Sequence, residues 1–271
     1  MQVKTQRLKA ASKAALIHLS ASALVASLAA LLVLTVWYPY PYYLLSGGRN
    51  LFLILISVDV VCGPLLTLVL YNPKKPRREL FTDLSLVVAI QLAALVYGLN
   101  VVHAARPLFL VHEAARFSVV TMGDYGDADV DEALARLDAP LRPGWFKGPA
   151  TVGIRIPSDP GERQEVLLGG RDFVQHPEFY IPYDAAYRDK ALVLAKPLRA
   201  FIDHYPATAE AAAEVLKQHG VALEEALFLP VQHRQDWVAV LDKSANILGF
   251  LPGDGFEVRA MPVGFRSPEG Q

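Results

Sequence analysis

Three apolar runs, at residues 14–37, 51–71 and 84–102, constrain this chain more than any other feature. Each meets the length of roughly 17 to 25 residues that a helix needs to cross about 30 Å of hydrocarbon. Three in succession at one end predict a membrane domain over residues 1–102. The first run follows a basic segment (Lys4, Arg7, Lys9, Lys13) but exceeds the roughly 7 to 15 apolar residues of a signal peptide, so it reads as a retained anchor. Trp37, Tyr38, Tyr40, Tyr42 and Tyr43 gather at its far end, as amphipathic rings do at a membrane surface. Residues 103–271 are left for one domain of ordinary size.

Orientation follows from the Lys and Arg of the short connections, which stay on the cytoplasmic side. The N-terminal segment has four and residues 72–83 have four (Lys74, Lys75, Arg77, Arg78), whereas residues 38–50 have only Arg49. The N-terminus is therefore expected inside, and three crossings put residues 103–271 beyond the membrane. In a bacterium with two membranes that means an inner-membrane, multi-pass protein with a periplasmic C-terminal domain. Charge divides along the same line. Residues 1–102 hold nine Lys or Arg and three acids, and the remainder holds seventeen and twenty-four. An acidic second part argues against nucleic-acid or anionic-lipid binding by that part, because both rest on clustered cations that neutralise phosphate. Membrane lipid is the partner the apolar runs themselves imply. The single cysteine, Cys62, excludes an intramolecular disulfide.

Polar residues inside the runs are costly and so informative. Asp59 at mid-membrane costs about 2.5 to 3.5 kcal/mol, against fourteen Leu, Ile, Val or Phe between Leu51 and Leu70 that favour insertion by about 0.3 to 0.6 kcal/mol each. The second run is therefore expected to insert. On a helix Asp59, Gly63 and Thr67 follow at intervals of four, a small and polar stripe suited to close helix contact. Pro64 cannot donate to the carbonyl of Val60, which predicts a kink and an uncapped acceptor one turn from Asp59. Counting about 1.5 Å per residue puts Gln91, with Ala94 and Gly98 on its face, within a turn or two of Asp59. His18, four residues into the first run, is too near the cytoplasmic side to reach Asp59. The candidate intramembrane polar or partner-binding residues are thus His18, Asp59, Gly63, Pro64, Thr67 and Gln91. Either they fix the bundle or they meet a partner.

Beyond residue 102 the pattern is a mixed α+β domain. Residues 107–112 and 116–122 read as a strand pair, 127–138 as an amphipathic helix, and 151–156 as a further strand. Residues 185–204 read as helix interrupted near Pro197, and 208–219 as a helix closed by Gly220. Three short runs at 227–232, 237–241 and 247–251 form an antiparallel meander ending in a turn at Pro252 to Gly255. No catalytic or dinucleotide motif is present, and the histidines after residue 102 lack close ligand spacing. Asp127, Asp129, Asp131 and Asp138 echo a calcium loop, but Glu132 stands where that loop needs Gly, so they read as the acidic start of a helix. No metal, cofactor or catalytic residue is expected.

The stretch Val58-Asp59-Val60-Val61-Cys62-Gly63-Pro64-Leu65-Leu66-Thr67-Leu68 resembles the signature of the TfpX/TfpZ type IV pilin accessory proteins. Ile17-His18-Leu19, Trp37-Tyr38-Pro39, Gly47-Gly48, Lys74-Lys75, Gln91-Leu92, Tyr97-Gly98 and Ala105-Arg106-Pro107 resemble that family in order and spacing, as do Glu113 and Arg116-Phe117. The similarity is closest over residues 8–120. The resemblance implies a non-catalytic inner-membrane chaperone or assembly factor of type IV pilus biogenesis. Its implied partners are the major pilin, through its transmembrane helix and periplasmic head, and the pilus assembly machinery. On this view the small-residue faces (Ser22, Ala26, Ala30; Gly63, Thr67; Ala94, Gly98) shelter the pilin helix, and His18 lies at a depth to meet its carboxylate. The alternative is a membrane sensor whose periplasmic domain binds a ligand; the short cytoplasmic segments count against it.

Overall fold

The computed structural model describes residues 2–46, 48–126, 130–157, 159–162, 164 and 171–265, and it leaves aside the side chains of residues 2–5, 48–55, 58 and 59. The chain divides into two compact units, Met1–Tyr43 with Gly48–Arg106, and Leu44–Gly47 with Pro107–Gln271. The architecture is mixed α+β, helical in the first unit and built on a sheet in the second.

The first unit is made of α1 (Gln2–Leu32), which runs on through a π-helical turn (Val33–Trp37), then α2 (Tyr42–Leu45, reaching into the second unit), α3 (Gly48–Leu70) and α4 (Arg77–Ala104). Pro64 sits inside α3, which continues through it. Helices α1 and α3 pack most extensively, and α4 covers α3. Gln6–Trp37 and Arg77–Ala104 are long and apolar enough to cross a membrane. The sequence predicts three such helices, but among the described residues α3 contributes only the shorter apolar stretch Val60–Leu70. Leu and Val side chains face outward along these helices, with Leu24, Leu28, Leu31, Ile90 and Val96 all exposed. At the π-turn, Val33 and Trp37 are buried with Tyr38 against Leu99 and Val102, and the Tyr38 hydroxyl donates to the Val102 carbonyl at 3.1 Å.

The second unit is one mixed sheet. Among the described residues its strands are β1 (Pro107–Glu113), β2 (Arg116–Thr121), β3 (Ala150–Ile154), β4 (Tyr180–Pro182), β5 (Lys196–Pro197), β6 (Leu227–Gln232), β7 (Trp237–Leu241) and β8 (Ile247–Pro252). Their order is β4-β3-β1-β2-β6-β7-β8, with β5 paired to β6. The β1–β2 hairpin and the β6–β7–β8 meander fall where the sequence places them. Two parallel pairings, β1 with β3 and β2 with β6, join these local pieces into a single sheet.

The short helix α5 (Asp131–Arg136) covers one part of the sheet, where Phe109, Val111, Val120, Val152 and Tyr180 form a core. Residues 127–129 of the predicted helix lie outside the described residues. Around Pro197 the predicted helix is two helices, α6 (Ala185–Leu194) and α7 (Leu198–His204), because the chain extends through β5 between them. Helix α8 (Ala209–His219) ends at Gly220 in the left-handed conformation, φ 65°, as its sequence predicts. Together α7 and α8 enclose a second core with Phe201, Phe228, Val238, Val240 and Leu251.

Segment Leu44–Gly47 belongs to this second unit although it lies between two helices of the first. Leu45 is fully buried, and Ser46 Oγ meets His233 Nε2, just beyond the end of β6, at 3.1 Å. The chain therefore passes between the units at three peptide junctions.

Candidate functional site

Antiparallel packing of α1 on α3 brings side chains from opposite ends of the sequence to one level, and α4 completes a polar cluster. His18 Nδ1 lies 2.6 Å from Thr67 Oγ1, and His18 Nε2 lies 3.0 Å from Gln91 Oε1. Gln91 Nε2 donates to Ser22 Oγ at 3.0 Å. An amide oxygen only accepts, so Nε2 of His18 donates to Gln91, and Nδ1 shares its hydrogen bond with the Thr67 hydroxyl. The chain of bonds runs Thr67 to His18 to Gln91 to Ser22 across three helices. Thr67 is buried, while His18, Ser22 and Gln91 are partly exposed.

Glycine 63 makes room for this arrangement. A Cβ at that position would stand 2.1 Å from Gln91 Oε1 and 2.8 Å from its Cδ. The amide fits against α3 because there is no side chain in the way. Towards the end of α3, Arg7 of α1 donates to the carbonyl of Val69 at 3.0 Å, serving an acceptor of the last turn.

Of the six candidate residues, the structure brings four together: His18, Thr67 and Gln91 by hydrogen bonds, and Gly63 by contact. Pro64 is buried next to Gly63, and the side chain of Asp59 lies outside the described residues. Gln91 stands at the level of Gly63, one turn from Asp59 along α3, in keeping with its expected depth. His18, expected too near the cytoplasmic side to reach Asp59, is held at both ring nitrogens, by Thr67 and Gln91. Ser22, which the sequence marks only as a small residue, terminates the hydrogen-bond chain. Much of the predicted small-residue surface is used inside the bundle: Ala26, Gly63, Thr67 and Gly98 are buried, whereas Ala94 is exposed.

A second buried polar group lies in the sheet unit. The backbone N–H of Ile154 donates to the Tyr187 hydroxyl oxygen at 3.0 Å, and that hydroxyl donates to the carbonyl of His112 at 3.1 Å. His112 Nδ1 reaches the same oxygen at 3.1 Å. Nε2 of His112 is buried and has no hydrogen-bond partner among the described residues. Phe117, Tyr183 and Tyr187 surround the ring. Burial in this aromatic setting pushes the His112 imidazole down to about 4, because the charged form would lose its hydration. The group is a neutral structural histidine between strands. No group of three or more His, Cys, Asp or Glu able to hold a metal ion occurs among the described residues.

Comparison with known proteins gives the same direction as the motif in α3. The family model for fimbrial assembly protein FimB matches residues 6–47, which run from α1 to the Leu44–Gly47 segment. The fimbrial assembly protein of serogroup I of Dichelobacter nodosus is 34% identical over 259 residues, covering 93% of this chain and 99% of that protein. The serogroup E1 protein of the same organism is 32% identical over the same span and coverage. The protein of serogroups C1 and C2 is 42% identical over 119 residues, 44% of this chain and 91% of its own length. No solved structure matches. With identity at this level running almost end to end, the chain belongs to the fimbrial assembly protein family, a type IV pilus accessory family of the kind its second apolar run resembles.

Proposed function

We propose that this protein acts in fimbrial biogenesis as a non-catalytic, membrane-anchored accessory that holds a type IV pilin before or during its assembly. The near-full-length similarity to fimbrial assembly proteins is the observation that carries this reading. Helices α1, α3 and α4 cross the inner membrane with the N-terminus cytoplasmic, and the sheet unit lies in the periplasm. The distribution of Lys and Arg among the connections supports this topology.

The hydrogen-bond chain through His18 gives the reading its mechanism. In hydrocarbon the bonds among Thr67, His18, Gln91 and Ser22 fix the rotation and depth of three helices that apolar contact alone would leave free to slide. His18 stays partly exposed, so a carboxylate near the cytoplasmic end of a pilin helix competes with the Gln91 amide for its Nε2. The pilin helix would then lie on the outward Leu and Val surface rather than along the buried small residues. Asp59, Gly63, Pro64, Thr67 and Gln91 shape the bundle around that meeting point, and the periplasmic unit attends the pilin head.

The test compares sheared surface pilin with total cell pilin in strains that carry the wild-type protein, no protein, His18→Ala or Asp59→Asn. Loss of surface pilin with reduced total pilin is the expected result for a stabilising chaperone. Loss with total pilin unchanged assigns the protein to assembly or retraction instead. No change in either quantity without the protein removes the pilin reading altogether.

A further inference from the structure

The loop before β3 ends in a turn built from the wrong residues for a soluble surface. The backbone N–H of Lys147 donates to the carbonyl of Gly144 at 3.2 Å, so Trp145 and Phe146 occupy the two corner positions. Corners of turns ordinarily go to Gly, Pro, Asn, Asp or Ser, whose backbone preferences and polarity suit them. Here they carry two large aromatic rings, with Trp145 54% and Phe146 81% exposed.

The loop is braced from behind. Leu137 is part of the sheet core and Leu141 packs against it. Lys147 Nζ donates to the carbonyls of Ala139 and Arg142, at 2.8 and 3.2 Å. Arg142 in turn donates through Nε to the carbonyl of Leu137. The rings are thus presented on a fixed base that carries two cations.

Strand register says which edge of the sheet they stand on. β3 runs parallel to β1 with Ala150 beside Phe109, so the loop leading into β3 emerges at the end where β1 begins. That end of β1 follows α4 directly: Phe109 is five residues beyond Ala104, at most about 18 Å of extended chain. Met122, 38% exposed, follows Thr121, which pairs with Pro107 at the same end. β6 runs parallel to β2 with Gln232 beside Ser118, and His233 just beyond it holds Ser46. Both segments that arrive from the apolar helices therefore enter the sheet unit at this one edge.

We propose that Trp145 and Phe146 form an interfacial anchor that inserts into the headgroup region of the same bilayer that α1 and α4 cross. The occupant is lipid because the chain itself ties this edge to within a short tether of the membrane. An indole and a phenyl ring flanked by Arg142 and Lys147 is also the composition that settles at a bilayer surface, with the rings among the acyl carbonyls and the cations among phosphates. The anchor would hold the sheet unit in a fixed attitude to the membrane. The inference rests on the membrane topology proposed above.

The experiment uses the full chain in lipid nanodiscs, once with ordinary lipids and once with lipids brominated near the carbonyl end of their acyl chains. Subtracting the emission of Trp145→Phe from that of the wild type isolates Trp145 from Trp37 and Trp237. The expected result is emission about twofold lower in brominated lipid, protection from aqueous iodide, and relief of that quenching in Phe146→Ser but not in Phe256→Ser, which alters an exposed ring elsewhere. A Trp145 signal indifferent to brominated lipid and open to iodide overturns the anchor. If that open signal becomes protected when purified pilin is added, the surface belongs to a protein partner and the lipid assignment is likewise overturned. A chain that does not enter nanodiscs at all overturns the topology itself, which separates that failure from failure of the anchor alone.

Discussion

At the scale of single residues the polar cluster of α1, α3 and α4 turns on one missing side chain. Gly63→Ala places a methyl group 2.1 Å from Gln91 Oε1. The end of a flexible side chain can swing aside, so the cost is not the overlap itself but the hydrogen bonds to His18 and Ser22 that the displaced amide gives up. Bonds between helices in a membrane are worth about 0.6 kcal/mol each on average and up to about 1.7. Gly63→Ala should therefore destabilise the bundle by about 1 to 2 kcal/mol, read as a shift in its unfolding in mild detergent. In a Gln91→Ala background the same substitution should cost little. His112 supplies a pH dependence of definite sign. Its imidazole ionises at about 4 in the folded protein and near 6.5 when unfolded, so between those values only the unfolded chain takes up the proton. Stability should be indifferent to this group above pH 6.5, fall by about 3 kcal/mol as pH drops towards 4, and level off below. Thermal melts of wild type and His112→Phe across that range isolate the contribution, which the variant should lose.

Among elements, Tyr187 is the fastener between α6 and two neighbouring strands. Tyr187→Phe would leave the Ile154 N–H and the His112 carbonyl and ring without the shared hydroxyl, all of them buried, and Gly153 beneath the ring allows no bulkier repair. A buried polar group stripped of its partner costs about 1 to 3 kcal/mol, so a drop of at least that size in denaturant stability of the sheet unit is expected. The elements were legible in the sequence wherever they rest on local pattern. The β1–β2 hairpin, the terminal meander, the Gly220 cap and the long apolar helices all follow from periodicity and turn residues. The parallel pairings of β1 with β3 and β2 with β6 had no such signal, because nothing near Phe109 or Ser118 specifies a partner 41 or 114 residues away. The three-residue β4 and two-residue β5 are too short for any periodicity to declare them. The polar cluster was partly readable. His18 lies four residues in from the start of the first run and Thr67 four residues before the end of the second, so antiparallel helices bring them level. Depth measured from Asp59 alone does not show that match.

For the molecule as a whole, the decisive quantity is the parity of membrane crossings. Three put the sheet unit opposite the N-terminus, and two would return it to the same side. A reporter active only in the periplasm should therefore light up when fused after residue 265 and stay dark within residues 72–76, between α3 and α4. Activity at the second position, or silence at the first, would mean that α3 does not cross. The path of the chain also bears on how the protein can be dissected. A fragment beginning at Pro107 looks like the natural soluble piece, yet it omits Leu45, a fully buried side chain, and Ser46, the partner of His233. Such a fragment is a fold with a tile prised out of it, so its instability in isolation would say little about the intact protein. A peptide carrying residues 44–47, or a circularly rearranged chain that restores them, is what would make the excised unit whole.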